Sequence, residues 1–131
     1  MKNVPDTPVG RLYSQHIHHV ENQEIEALMN QYTDDCVLIS SFTKTPLYYR
    51  GKEQLREHLN GILDMKGLVT EVAFYSETEN PQTLMVTEKI TTIGENGEEV
   101  HMRFADSWVL RDGKIAIHFA GMVQYSDGSL A

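Results

Sequence analysis

Two tight-turn signals in the C-terminal half constrain the fold of this chain more than any other feature. They are the dipeptides Asn96-Gly97 and Asp112-Gly113, and such pairs favour the positive φ angles that two-residue hairpin turns require. Four segments around them are rich in β-branched and apolar residues, as strands are: residues 69–76, 83–93, 99–110 and 114–125. The sequence therefore predicts that the last three segments form an antiparallel meander, with the first of the four preceding it.

The N-terminal half is predicted to be mainly helical. Asp6-Thr7-Pro8 marks a helix start, because a capping residue precedes a proline in the first turn. Two more helices are predicted, one over residues 24–29 and one that opens at Gly51 and ends by Gly67. The part between them is predicted to hold a turn, a strand and an irregular loop, at residues 32–35, 36–40 and 41–50.

This order of elements predicts an α+β fold. Helices come first and strands last, so the helices are expected to lie on one side of a curved antiparallel sheet of four to five strands. The chain has 131 residues, a typical length for one domain, and we expect a single domain over residues 1–131.

Composition limits the partners. The formal net charge of −8 argues against binding to nucleic acid or to an anionic membrane surface. No apolar run approaches the ~18 residues that a membrane span needs, and the polar N-terminus does not resemble a signal peptide. The single cysteine, Cys36, allows no internal disulfide and is expected to pack in the core. We therefore expect a cytoplasmic protein that binds neither nucleic acid nor a membrane.

Asp106 is the main candidate for a catalytic residue. Period-two alternation puts it on one strand face with four large apolar side chains, Met102, Phe104, Trp108 and Leu110. Burying an unpaired carboxylate on such a face costs free energy, unless the carboxylate takes up a proton and becomes neutral. Carboxyl groups with shifted pKa values in apolar pockets are common acid/base catalysts. The alternative is a buried aspartate that only forms a hydrogen bond to a neighbouring histidine or tyrosine.

Five motifs occur together over nearly the whole chain: Glu21 to Leu28, Tyr32 to Leu38, Tyr49-Arg50-Gly51, Asp106-Ser107-Trp108 and Asp112-Gly113-Lys114-Ile115. In this order they resemble the nuclear transport factor 2-like superfamily, and most closely its SnoaL-like polyketide cyclase and ketosteroid isomerase branch. The resemblance implies a cone-shaped sheet that wraps around the helices and encloses a deep apolar pocket. This fold hosts isomerases, cyclases, dehydratases, epoxide hydrolases and non-catalytic binding domains, so the fold alone does not select an activity.

The resemblance also assigns roles to three positions. Ketosteroid isomerase uses an aspartate base, and a tyrosine and a protonated aspartate that bind the oxyanion. By resemblance, the tyrosine position falls on His16, the base on Ser40 and the protonated aspartate on Asp106. A serine cannot abstract a carbon-bound proton unaided, which argues against steroid isomerisation by that mechanism. The chain is more similar to cyclase-type members, in which an aspartate and pocket histidines do the acid/base work.

His118 is the expected partner of Asp106. It shares a strand face with Met122, and the resemblance to the isomerase branch turns that face inward. A hairpin turn at residues 112–113 would pair Asp106 with Phe119, so a one-residue offset or a bulge is needed to bring His118 level. An Asp-His pair is a natural acid/base dyad. The alternative is a structural hydrogen bond that closes the sheet.

The other histidines are predicted to differ in exposure. His16 lies on the apolar stripe of the first helix, so it either points into the cavity with a role at the oxyanion or is half exposed. His18 and His19 lie about 100° apart on that helix, so at least one is at the surface. His58 is predicted to face solvent, and His101 to face outward or towards a subunit interface.

Eight further residues are candidates for contact with the ligand: Trp108, Phe104, Met102, Met122, Tyr13, Ser40, Tyr48 and Tyr49. The last two lie on the predicted 41–50 loop, where one could donate a hydrogen bond to a ligand or both could cap the core. The chain has no Gly-rich phosphate loop, dinucleotide fingerprint or His-Glu-x-x-His run, so neither a cofactor nor a metal is predicted.

Together these residues favour a cofactor-independent acid/base enzyme of the cyclase, isomerase or dehydratase type. Its expected substrate is an apolar, oxygenated, ring-type small molecule such as a polyketide or a terpenoid. The alternative is a non-catalytic small-molecule-binding or dimerisation module of the same fold. A homodimer packed sheet to sheet is expected, because Val109, Ile117 and Phe119 form an apolar outer face.

Overall fold

The computed structural model describes residues 1–130, and within them lie three helices and six strands. The helices are α1 (Pro8–Glu21), α2 (Ile25–Met29) and α3 (Gly51–Leu63). The strands are β1 (Tyr32–Ser40), β2 (Leu47–Arg50), β3 (Val69–Glu79), β4 (Gln82–Ile93), β5 (Glu99–Arg111) and β6 (Lys114–Gln124). The predicted α+β class, with N-terminal helices and a curved sheet, is confirmed.

The six strands form one sheet in the order β2-β1-β6-β5-β4-β3. Strands β4 to β6 form the predicted antiparallel meander, and β3 adds a fourth antiparallel strand to it. Asp112 and Gly113 turn the last hairpin with φ angles of 52° and 75°. The sheet has more strands than the four to five predicted, and β1 pairs with β6 in parallel. No short turn joins these two strands, so no local signal in the sequence could indicate their pairing.

The segment from residue 32 to residue 50 differs most from its prediction. β1 begins at Tyr32, where a turn was predicted, and β2 occupies part of the predicted loop and pairs with β1. The start of β1 was not predicted because it contains Asp34 and Asp35, which are atypical of strands. Both are exposed and lie where the register between β1 and β6 is irregular. The strand nevertheless continues through these two residues of low β-propensity, and Asp35 forms an ion pair with Arg111 of β5.

The first helix places several side chains in the interior. Its start is confirmed: Pro8 is its first residue, and the side chain of Thr7 accepts a hydrogen bond from Gly10 N at 2.9 Å. From there α1 buries Tyr13, His16 and Ile17 against the sheet. Cys36 is buried as a free thiol, as expected. None of the helices among residues 1–130 is long and apolar enough to cross a membrane.

Candidate functional site

Asp106 and His118 lie next to each other on the inner face of the sheet. A bulge between Val109 and Leu110 shifts the register of β5 and β6, so Asp106 pairs with Ala120 instead of its predicted partner. His118 is then diagonal to Asp106 on the same face, within reach of its side chain. The Oδ1 atom of Asp106 lies 2.9 Å from Nε2 of His118. The offset that the sequence required is therefore supplied by a bulge.

Both ring nitrogens of His118 are engaged. Nδ1 lies 2.9 Å from the hydroxyl of Tyr32, and Nε2 lies against the Asp106 carboxyl. Because burial lowers the pKa of His118 to about 4, the ring is neutral at pH 7. A carboxylate only accepts hydrogen bonds, so Nε2 carries the proton and Nδ1 accepts from Tyr32. His118 thus orients Asp106, and it has no free nitrogen with which to contact a ligand.

A second buried acid, Glu88 of β4, lies beside Asp106. Its Oε2 accepts a hydrogen bond of 2.6 Å from the Tyr13 hydroxyl, and the residue is only 4% exposed. Burial, and then the negative charge of Asp106, raise the pKa of Glu88 well above its ordinary value. The other oxygen, Oε1, is buried and has no hydrogen-bond partner among the described residues. We assign the proton of the pair to Glu88, so Glu88 is the neutral acid and Asp106 the carboxylate.

Burial also acts on Asp106. It raises the pKa of this carboxyl, and the neighbouring Glu88 lowers it in part. The result is a cluster of polar side chains in which Tyr13 bonds to Glu88, while Asp106 and Tyr32 both bond to His118. A neutral donor, His118, and a neutral neighbour, Glu88, thus adjoin one carboxylate in an apolar interior, which makes such a charge tolerable.

Sequence reasoning did not identify Glu88 or Tyr32, although a signal for Glu88 was present. Leu84, Val86, Glu88 and Ile90 alternate along β4, so Glu88 interrupts an apolar face in the same way that Asp106 does. Tyr32 gave no comparable signal, because it stands at the start of a strand that was predicted to be a turn.

His16 is buried against the same site but bonds elsewhere. Its Nδ1 lies 3.1 Å from Oε1 of Gln31, and Nε2 of Gln31 donates to the carbonyl oxygen of Leu12, which fixes the direction of the amide. An amide oxygen only accepts, so Nδ1 of His16 carries the proton and Nε2 has a free lone pair. Burial lowers the pKa of His16 to about 3, so the ring is neutral. In this tautomer the free nitrogen of His16 can only accept a hydrogen bond, whereas the predicted role at an oxyanion requires a donor.

An apolar cavity of about 60 Å³ lies between α1 and the sheet. Asp106, His118, Glu88 and His16 all reach its wall. The volume is large enough for a few water molecules but small against the ~300–1,000 Å³ of typical ligand sites. A ring-type ligand therefore requires some of the surrounding side chains to move.

The predicted lining residues fall into two groups. Trp108, Phe104 and Tyr13 line the cavity. Met102 and Met122 do not, because the inner face of the sheet continues past the cavity and they pack there with Phe104 in a separate cluster.

The remaining three lie on or near β2. Ser40 and Tyr49 line a groove next to the cavity, and Tyr48 is 61% exposed. Because β2 is a strand, Tyr48 and Tyr49 point to opposite sides, so Tyr48 cannot serve the cavity.

The prediction that His58 faces solvent is wrong. The residue is 8% exposed, and its ring lies 5.2 Å from the Phe42 ring and 4.9 Å from the Tyr49 ring, measured between centroids. The reason is β2, whose presence covers a face of α3 that looked free in the sequence. The predictions for His101 and for the His18-His19 pair are confirmed, since His101 and His18 are exposed. Among residues 1–130, no group of three or more His, Cys, Asp or Glu side chains is arranged to hold a metal ion.

Comparisons with known proteins agree on the fold. A family model described as a SnoaL-like domain matches residues 13–118. No curated protein sequence matches this chain. The solved structure of SalBIII, an epoxide hydrolase/cyclase-like enzyme in pyran ring formation of the polyether salinomycin, superposes with a TM-score of 0.73 at 15% identity, over 86% of this chain and 88% of that one.

Two further solved structures are similar. The Δ5-3-ketosteroid isomerase of a Mycobacterium species has a TM-score of 0.72 at 18% identity, over 87% of this chain and 92% of its own. A Mycobacterium tuberculosis protein in complex with estradiol-17β-hemisuccinate has a TM-score of 0.73 at 14% identity, over 88% of this chain and 93% of its own. At these identities the likeness shows the shared fold.

Proposed function

Because the chain belongs to the SnoaL-like domain family of the nuclear transport factor 2-like superfamily, we propose that it is a cofactor-independent acid/base enzyme. Its substrate is an apolar, oxygenated, ring-type small molecule such as a polyketide or a terpenoid. The observation that carries the proposal is the Asp106 carboxyl at the wall of an apolar cavity, with a hydrogen bond to His118 and a second buried acid, Glu88, beside it. Similar structures that act on or bind ring-type molecules support it.

Asp106 is the proton-transfer group in this proposal. Its carboxylate takes a proton from an activated carbon or hydroxyl of the substrate, and its burial keeps the pKa raised, which strengthens it as a base. The same proton is then returned to another atom of the substrate, as in isomerisation or cyclisation, or leaves with a hydroxyl as water. Glu88 and His118 stabilise the carboxylate between these steps, and Tyr13 and Tyr32 orient them.

His16 contributes a second polar contact in the cavity. The lone pair on Nε2 accepts a hydrogen bond from a substrate hydroxyl and so orients the ring towards Asp106. Ser40, at the position of the isomerase base, makes its hydrogen bond to the backbone N–H of Phe42 at 3.3 Å and does not reach the cavity. The site is therefore proposed for proton transfer through Asp106 and not for the isomerase mechanism.

The test is turnover of a substrate panel in D2O after dialysis against EDTA. The panel contains a β,γ-unsaturated ketosteroid, a cyclic epoxide and a β-hydroxy ketone on a ring, and mass spectrometry follows conversion and deuterium uptake. We expect conversion of one class without added metal or cofactor. If no class is converted although the rings bind, the proposed reaction is contradicted.

The second candidate is a non-catalytic binding module. Two observations favour it: the cavity measures only about 60 Å³, and Asp106 is already engaged by His118. In that case the panel compounds would quench the fluorescence of Trp108 on binding, and no product would form.

We propose in addition that the protein is a cytoplasmic homodimer. Cys36 is a free thiol, which fits a reducing compartment. On the outer face of the sheet, Phe119 of β6 is 46% exposed and Met85 of β4 is 52% exposed. Both residues pair with Ser107 of β5, the strand between them, so their side chains lie close together. Apolar side chains grouped in this way are commonly covered by a partner.

Sedimentation at micromolar concentration should give twice the 14.9 kDa of one chain. Phe119→Glu should shift the mass to that of a monomer, because it places a charge in the centre of the outer face. Leu130→Glu is the control, since Leu130 is 75% exposed and lies beyond the last strand, away from the outer face around Phe119. A monomeric wild type would contradict the dimer.

A further inference from the structure

A groove of about 240 Å³ adjoins the cavity on the side of α3 and β2. The cavity and the groove share three lining side chains, Phe42, Ile62 and Met65. These three side chains are thus a partition with one space on each side. Because the cavity alone is too small for a ring-type ligand, the partition is the place where extra volume is available.

Phe42 is the member of the partition best placed to move. It lies between β1 and β2, in a segment without helix or strand, and is half-buried. Its ring is held by contacts with other rings: it stacks on His58 and meets Phe104 edge to face at 4.9 Å between centroids. A rotation of this side chain therefore breaks no hydrogen bond of the sheet, and a ligand ring can replace the same stacking contacts.

His58 is the buried polar group that the groove leaves unexplained. It lines the groove, and its Nε2 is buried without any hydrogen-bond partner among the described residues. A buried, unpaired nitrogen costs free energy that a hydrophobic residue of the same shape would not. Burial lowers the pKa of His58 to about 4, so at neutral pH the ring is uncharged and can pair with a hydroxyl or carbonyl group.

We propose that rotation of Phe42 joins the cavity and the groove into one site for a two-ring ligand, and that Nε2 of His58 binds a hydroxyl or carbonyl on the second ring. The first ring then lies at Asp106, so the proposal rests on the proposed function and specifies its substrate class. Together the two spaces reach the lower end of the ~300–1,000 Å³ range of ligand sites. Phe42 and Tyr49 would flank the second ring.

The test uses two matched probes, 4-phenylphenol and biphenyl, which differ in one hydroxyl group. Binding is followed by quenching of Trp108, the single tryptophan of the chain and part of the cavity wall. We expect His58→Phe, which keeps the ring stack and removes the nitrogens, to weaken 4-phenylphenol binding about three- to tenfold, the usual effect of one neutral hydrogen bond. Biphenyl affinity should be unchanged. An equal effect on both probes, or none on either, overturns the proposal.

A second measurement on the wild type avoids any folding defect of the variant. With ¹⁵N-labelled histidine, 4-phenylphenol should shift the Nε2 resonance of His58, and biphenyl should shift it less. No difference between the probes overturns the assignment of His58. The two proposals fail separately: absence of turnover in the substrate panel contradicts the enzyme, while absence of probe discrimination contradicts the two-ring site.

Discussion

Asp106→Asn is expected to lower turnover of the true substrate by about 10²–10⁴-fold, the range that a general acid/base group contributes. The substitution keeps the shape of the side chain and removes the group that accepts and returns the proton. The fold should persist, because Asn can still accept a hydrogen bond from Nε2 of His118, which lies 2.9 Å from Oδ1. The measurement is the initial rate for whichever panel compound is converted, with circular dichroism to check the fold.

Two control variants separate proton transfer from packing. Glu88→Gln also replaces a buried carboxyl by an amide in the same network, but Glu88 is assigned as the neutral partner, so the loss should be well below that of Asp106→Asn. Ser40→Ala removes a hydroxyl that bonds only to the backbone of Phe42 and should cost much less again. If Glu88→Gln is the more damaging change, the proton belongs to Asp106 and the roles of the two acids are exchanged. Normal turnover by Asp106→Asn would overturn the assignment.

The second large effect concerns stability in acid. Burial lowers the pKa of His58 to about 4, whereas the unfolded chain binds a proton near the ordinary value of 6.5. Between these two values the unfolded state holds more protons than the folded state, so the contribution of His58 to stability is present above pH 6.5 and is lost as the pH falls towards 4. One such group changes the free energy of unfolding by up to about 1.4 kcal/mol per pH unit.

His58→Phe should therefore flatten the dependence of the free energy of unfolding on pH, by about 3 kcal/mol over the whole window. Urea denaturation at several values between pH 4.5 and 7 measures this dependence. His101→Phe is the matched control, because solvent already reaches that side chain in the folded state. It measures the effect of the same replacement at an exposed position. Equal slopes for wild type and His58→Phe would show that His58 takes up its proton without unfolding.

The two other buried histidines and the two acids act in the same window. His16 and His118 also have lowered pKa values, so they add to the loss of stability in acid. Glu88 and Asp106 have raised pKa values, so their contribution is lost as the pH rises through the window and opposes that of the histidines. The wild-type slope is the balance of these groups. His58 is the suitable group to test, because neither acid contributes to the shift of its pKa.

The sequence by itself determined the features that depend on neighbouring residues. Asp112-Gly113 set the last hairpin, and the alternation on either side of it put Asp106 and His118 on one face, because turn geometry and strand period are local properties. The same alternation along β4 indicated that Glu88 faces the interior, although Glu88 was not predicted as a site residue. In the N-terminal part, Thr7 and Pro8 set the start of α1.

Only the tertiary structure decided which of these groups meet. The bulge at Val109 and Leu110 sets the register that joins His118 to Asp106, and the parallel pairing of β1 with β6 brings Tyr32 to the same histidine. The short strand β2 buries His58. The contact between Tyr32 and His118 joins residues that lie 86 positions apart in the chain. All three features depend on packing and desolvation of whole faces. No turn or period in the sequence encodes them, because each partner satisfies its local preferences equally well without the other.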